Sequence, residues 1–277
     1  MTKKIMFALL AVYATSAFAL KPSKEYAFYP EDLGLNSKEW HVKTSDDFDI
    51  YAWRITPAKA QSSKTVVIAD DGEGNMADNF DLAGSFLGAG YNVVMFDYRG
   101  YGKSQDARVN EKMYLMPNFS KDLDAVITEV KKQDAKQQVT VFGVGMGGGL
   151  AIGVSANNPK VSRVIADAPY LDLETIKNRL KEQKQLDVII PPGAEKTLYE
   201  PKFALESKGQ NIEGLLLIVS GADKVVTTAD MQVLQAMRKK TCDVYVTAAK
   251  ENKDNFTSNK NEYFNHVKAF LDKPMPK

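Results

Sequence analysis

The chain has 277 residues, 44% of them hydrophobic and 26% charged, with a formal net charge of +1. That size and apolar content suffice for one sizeable core without disulfides or a structural metal, and the near-neutral charge leaves no general electrostatic drive toward nucleic acid or an anionic membrane. The lone Cys242 excludes an intrachain disulfide and reads as a small apolar packing residue beside a strand.

Lys3 and Lys4, an apolar run over 5–13 and the small-residue ending Ala17-Phe18-Ala19 form the pattern of a secretory signal peptide, residues 1–19, cleaved after Ala19. The alternative, a membrane anchor, is disfavoured because the run is short against the roughly 20 residues of a membrane span. Removing 1–19 takes the net charge from +1 to −1. It leaves 20–277 as one domain, periplasmic or secreted, with no transmembrane segment in the mature chain.

Residues 20–38 are turn-rich and are expected to wrap the outside of the domain. Runs 39–43 and 48–55 read as antiparallel strands around the polar turn 44–47. The continuous apolar run 65–69 suits a central parallel strand covered on both faces, followed by a crossover helix over 79–89 that Gly90 ends. Run 91–96 repeats the buried-strand pattern, and 97–104 follows as a polar loop that Arg99 is expected to tie together. Phe119, Leu123, Val126, Ile127 and Val130 recur near a 3.6-residue period and define one buried helix face.

Residues 138–142 read as a strand, 143–147 as a tight glycine-rich turn and 148–157 as a small-residue helix. Strands follow at 161–166, 215–219 and 244–247, and a last helix presents Tyr263, Phe264, Val267, Phe270 and Leu271 at helical spacing. This alternation implies an α/β fold, an open and mostly parallel sheet with helices on both faces. The longest interval between strands, 171–213, is helix-like to about Lys184 and broken by Pro191-Pro192-Gly193. It reads either as a small lid over the carboxyl ends of the strands, where ligands of such sheets bind, or as a surface connection without a gating role.

Three segments carry a family resemblance: 88–104, the run Gly143-Val144-Gly145-Met146-Gly147, and 215–226 with its Gly221-Ala222-Asp223 turn. Together they resemble the α/β-hydrolase superfamily, within it the short-lidded bacterial esterase-like, thioesterase-like and peptidase-like proteins, from about Pro30 to Leu271. The resemblance implies the α/β-hydrolase fold and a nucleophile, acid and base in the chain order Ser, Asp, His. It places Asp223 at the acid position. At the nucleophile position of the G-x-S-x-G elbow stands Gly145, which can adopt the strained turn but cannot attack a carbonyl. At the base position the best register puts Glu251, with Lys250 or Asn252 as alternatives, none of them an imidazole. The only histidines, His41 and His266, lie in segments that do not lead to the elbow.

The resemblance places the oxyanion-hole donors on the backbone of Glu73 and Met146. Asp70, Asp71 and Glu73 set carboxylates where negative charge would develop, which opposes an anionic transition state. Asp71, Gly72, Gly145, Tyr170 and Lys250 are the pocket-lining candidates, and an Asp223–Lys250 ion pair is a structural substitute for the missing Asp–His contact. On these grounds Gly145→Ser with Glu251→His is not expected to restore fast hydrolysis.

The glycines at 145 and 147–149 lack the following Lys-Ser or Lys-Thr of a phosphate-binding loop. The carboxylates Asp70, Asp71, Glu73, Asp223 and Glu251 read as solvated or lysine-paired rather than as a calcium site, so no metal and no cofactor is expected. The first expectation is therefore an exported, catalytically degenerate hydrolase-like protein that binds an acyl, peptide or other small ligand. The rivals are a hydrolase of esters, thioesters or amides with a non-standard site, and a structural protein that binds an envelope partner.

Overall fold

Apolar runs too uniform to leave one face in water become the interior of a sheet with both faces covered. The computed structural model describes residues 20–58, 62–191 and 195–274; the signal peptide reading over 1–19 and the Pro192-Gly193 break lie outside them. Two short strands, β1 (Lys21–Pro22) and β5 (Glu73–Gly74), pair in parallel apart from the main sheet. The main sheet comprises β2 (Asn36–Lys43), β3 (Asp49–Thr56), β4 (Lys64–Ala69), β6 (Asn92–Phe96), β7 (Gln138–Val144), β8 (Val161–Asp167), β9 (Gly214–Ser220) and β10 (Cys242–Thr247). Among the described residues these eight strands lie in the order β10-β9-β8-β7-β4-β6-β3-β2. β2, β3 and β6 pair antiparallel in succession, and every other neighbouring pair is parallel.

Helices cover both faces: α1 (Phe80–Gly88), α2 (Met116–Gln133), α3 (Met146–Asn157), α4 (Leu173–Lys184), α5 (Pro201–Lys208), α6 (Thr228–Met237), the single turn α7 (Asn255–Ser258) and α8 (Lys260–Leu271). One core gathers the apolar faces of α2, α3, α4 and α6, including Phe119, Leu123, Leu150, Ile176 and Leu234. The other gathers those of α1 and α8 against the opposite face, including Phe86, Phe142, Val267 and Phe270. The chain has the α/β-hydrolase fold.

The elbow differs in detail from the sequence expectation. β7 runs on through Val144 and α3 begins at Met146, so the turn shrinks from five residues to one. Glycine makes that possible by close approach: a Cβ on Gly147 would lie 2.2 Å from the Ala69 carbonyl oxygen, and one on Gly143 2.1 Å from that of Gly147. The helix therefore starts hard against the end of β4.

The 171–213 interval is tied down at several points. Asp172 caps α4 by accepting the Thr175 N–H at 2.7 Å, Glu200 accepts that of Leu173 at 2.9 Å, and Ile189 bridges to Met113. Arg179 reaches both Asp230 and the Val225 carbonyl. Leu173, Ile176 and Leu180 are buried, so the helix rests its apolar side on the body of the domain.

Candidate functional site

At the carboxyl end of β7 the backbone turns at Gly145 with φ 52° and ψ −113°, and its N–H donates to the Asp167 carbonyl on β8 at 2.8 Å. That conformation costs an L-residue energy and is free for glycine. Gly145 is itself buried, and its apex carries no oxygen or sulfur.

The turn after β4 lies where the resemblance places the oxyanion donors. The Gly72 N–H donates to Asp70 Oδ1 at 2.9 Å and the Glu73 N–H to Asp71 Oδ1 at 2.9 Å. The Glu73 donor is thus already engaged by a carboxylate from its own turn. Met146 is buried, with its methyl group 3.0 Å from where a Gly72 Cβ would stand. Burial pushes the Asp70 and Asp71 carboxyls above the usual range, and for Asp70 the neighbouring Asp71 adds to it.

At the positions that the resemblance assigns to acid and base, the register is that of Asn252, one of the two alternatives to Glu251. Asp223, in the loop after β9, accepts the N–H groups of Val225 at 2.7 Å and Val226 at 3.2 Å on one oxygen and that of Asn252 at 3.0 Å on the other. It is Asn252 that the loop brings to Asp223. The Asn252 side chain turns inward, accepting the Ser220 N–H at 2.7 Å and donating to the Val226 carbonyl at 2.9 Å. Glu251 points toward Lys253, at 3.4 Å, and Lys184, at 4.0 Å. Lys250 is exposed, and Asp223 gives its oxygens to backbone N–H groups rather than to that ammonium. An amide does not titrate in this range and cannot act as a general base.

A cavity of about 740 Å³ opens beside the elbow, between the β4 and β7 ends, α1, α7 and the β1 segment. Its lining includes the carboxyl groups of Asp70, Asp71, Glu73, Asp78, Asp81 and Asp167 against three lysines, Lys21, Lys24 and Lys253. Of the five pocket-lining candidates only Asp71 lines it; Gly72 and Gly145 are buried behind it, Tyr170 packs under α3 against Gly149, and Lys250 lies with Asp223 and Glu251 on a separate cavity of about 320 Å³. No described residue of 171–213 lines the larger cavity, whereas Gln183 and Lys184 line the smaller one with Asp223 and Glu251. Among the described residues no group of three or more His, Cys, Asp or Glu side chains could hold a metal ion.

Asp167 is the functional group the sequence reading passed over. It ends an otherwise apolar strand, and that unlike ending was the available signal. Fully buried, it accepts from Asn255 Nδ2 at 2.6 Å and from the Tyr263 hydroxyl at 2.7 Å, and burial pushes its carboxyl up to about 7 despite both donors. A raised folded-state pKa means stability present below about pH 4 and lost as pH climbs toward 7, at roughly 1.4 kcal/mol per unit. Asp167→Asn, a neutral isostere that can accept from Asn255 and donate to Tyr263, is therefore expected to gain on the native protein between pH 5 and pH 8. Urea unfolding across that range checks it; parallel pH curves for the two proteins would remove the assignment.

The remaining sequence candidates lie elsewhere. His41, in β2, pairs with Asp49 at 2.9 Å on the surface, and His266 stacks on Tyr245 at 3.8 Å between ring centroids. The Cys242 thiol is buried and pushed up to about 12, an inert packing group. Among the described residues no helix is long and apolar enough to cross a membrane.

Comparison with known proteins bears on the family and the fold. A family model described as serine aminopeptidase, S33, matches residues 61–208, just over half of the chain. The uncharacterized protein YfhR of Escherichia coli O157:H7 is 24% identical over 189 residues, covering 64% of each chain, so the match spans less than two thirds of that relative's length. Among solved structures, the Pyrococcus furiosus esterase Pf2001 superposes with a TM-score of 0.74 at 22% identity, over 93% of this chain and 99% of that one. The α/β serine hydrolase without lid XC6422, from Xanthomonas campestris, gives 0.59 at 14% identity, over 86% and 97%. At these identities the structural likeness shows the fold.

Proposed function

The chain belongs to the S33 serine aminopeptidase family, and from that premise we propose that it is an exported, non-catalytic member that binds a ligand instead of hydrolysing one. The observation that carries the reading is the elbow apex at Gly145, which presents no nucleophile to a bound carbonyl. Two neighbours support it. The position facing Asp223 is held by an inward-turned asparagine, and the Glu73 oxyanion donor is bonded to Asp71.

The acidic lining of the larger cavity favours a cationic ligand, such as an amine or the amino end of a peptide, over a free fatty acid. The signal-peptide pattern over 1–19 supports a periplasmic or secreted location. A fluorophosphonate probe incubated with the purified protein is expected to leave its intact mass unchanged. Stoichiometric addition at a single serine would sink the reading.

A further inference from the structure

Tyr51 and Trp53 stand two residues apart on β3 and so share one face of the strand, and the segment ahead of β2 lays Tyr26 and Tyr29 against that face. The Tyr26 ring lies 4.9 Å from that of Trp53 and 5.4 Å from that of Tyr29 between centroids, and Phe80 stacks on Trp53 at 5.6 Å. Lys103, in the loop after β6, carries its ammonium over three of these rings. It is 4.8 Å from the Tyr29 centroid, 5.1 Å from that of Tyr51 and 6.0 Å from that of Tyr26. Lys103 is exposed, and among the described residues no carboxylate lies within ion-pair distance of its ammonium. The walls of this cage are fixed where its occupant is not. The Tyr26 hydroxyl donates to Asp97 and accepts the Lys103 N–H at 2.9 Å; the Tyr51 hydroxyl donates to Glu39 and accepts from Trp53 Nε1 at 3.1 Å. A phenol that donates to a carboxylate has a more electron-rich ring, which strengthens its hold on a cation. A bare ammonium touching a ring face would sit about 3.5–4.0 Å from it. All three separations here are wider, by an amount that methyl groups between the nitrogen and the rings would fill.

We propose that Tyr26, Tyr29 and Tyr51 form a binding site for a quaternary ammonium head, such as that of choline, which enters as the Lys103 side chain swings out to water. The site shares no lining residue with the acid-lined cavity, and it does not depend on the reading of the elbow. Hydration favours the exchange. The lysine ammonium is compact and strongly hydrated and regains its water outside, whereas a quaternary nitrogen holds water weakly and loses little on entering. The tether opposes it, because a short flexible side chain keeps the lysine at a high effective concentration beside the cage. The native protein therefore binds such a head weakly, and removing the tethered competitor, with its like charge, strengthens the binding.

Choline is titrated into the purified protein and its methyl signal followed by NMR, where the ring currents of a cage shift it upfield. The native protein is expected to bind with a Kd of about 1–10 mM, and Lys103→Ser at least about tenfold more tightly. Lys103→Ser/Tyr29→Leu is expected to lose the binding, while Lys103→Ser/Tyr29→Phe keeps the ring face and keeps the binding. The neutral isostere of choline, with carbon in place of the nitrogen, is expected not to compete. Co-sedimentation of Lys103→Ser with phosphatidylcholine vesicles, reversed by free choline, would assign the head to a lipid; choline binding without co-sedimentation would assign it to a free ligand. No saturable shift in Lys103→Ser, binding that survives Tyr29→Leu, or equal binding of the neutral isostere overturns the cage. Where the Tyr29→Leu variant does not fold, the isostere decides.

Discussion

In Gly145→Ser/Asn252→His, ester hydrolysis is expected to remain slow, and adding Asp71→Ala is expected to raise kcat/KM by about 100- to 1,000-fold. The double substitution supplies an oxygen at the elbow apex and an imidazole at the residue whose backbone already sits 3.0 Å from Asp223. It does not supply the oxyanion hole, because Asp71 Oδ1 holds the Glu73 N–H at 2.9 Å and brings a carboxyl to the place where negative charge develops. Asp71→Ala frees that donor and removes that carboxyl together. Glu251→His in place of Asn252→His is expected to give nothing, since the Glu251 side chain points toward Lys184 and Lys253. Steady-state hydrolysis of a short-chain nitrophenyl ester, with thermal melts to verify folding, makes the comparison. A double variant already as fast as the triple would show that the Asp71 contact does not matter.

Arg99→Met is expected to lose about 3–5 kcal/mol of stability, because it strips a buried carboxylate of its partner. Arg99 lies in the loop after β6. It donates from Nε and Nη2 to Asp122 Oδ1, at 2.9 Å and 2.6 Å, and from Nη1 and Nη2 to Asp46, both at 2.9 Å. The guanidinium also lies over the Phe48 ring at 4.1 Å. It holds Asp46, near the surface, well below the usual carboxylate range. For Asp122, wholly out of water on α2, burial outweighs the same cation and the carboxyl is raised. Calorimetry should show a fall of roughly 6–20 °C in Tm at this chain length. Arg99→Met/Asp122→Asn should recover part of it, since the amide oxygen can still accept the backbone N–H of residue 99, which Asp122 takes at 3.0 Å. A single variant melting within about 2 °C of the native protein would contradict the account.

The architecture was readable from the chain because it rests on local periodicity. Continuous apolar runs such as 65–69 can only be strands covered on both sides, and the spacing of Phe119, Leu123, Val126, Ile127 and Val130 can only present one helix face; all five are buried in α2. Arg99 as the tie of its loop was legible for a similar reason, a guanidinium with several donors in a polar turn between buried elements. The elbow's position was legible too, although its length was not: glycines that read as a loose turn instead let α3 start against β4. Missed altogether were Asp167, whose role depends on Asn255 and Tyr263 across the sheet, and the burial of Leu20 against Gly72.

By itself the sequence determined the alternation that makes the fold and the absence of an oxygen or sulfur at residue 145, since both are properties of which side chains exist and how they repeat. Only the tertiary structure decided that Asn252 rather than Glu251 meets Asp223, that Asp71 engages the Glu73 N–H, and that the segment from Leu20 lies across the oxyanion turn. The reason is geometric. Those contacts join loops from different strands, and a one-residue change in loop path exchanges the side chain that faces inward for its neighbour, while composition and periodicity stay the same.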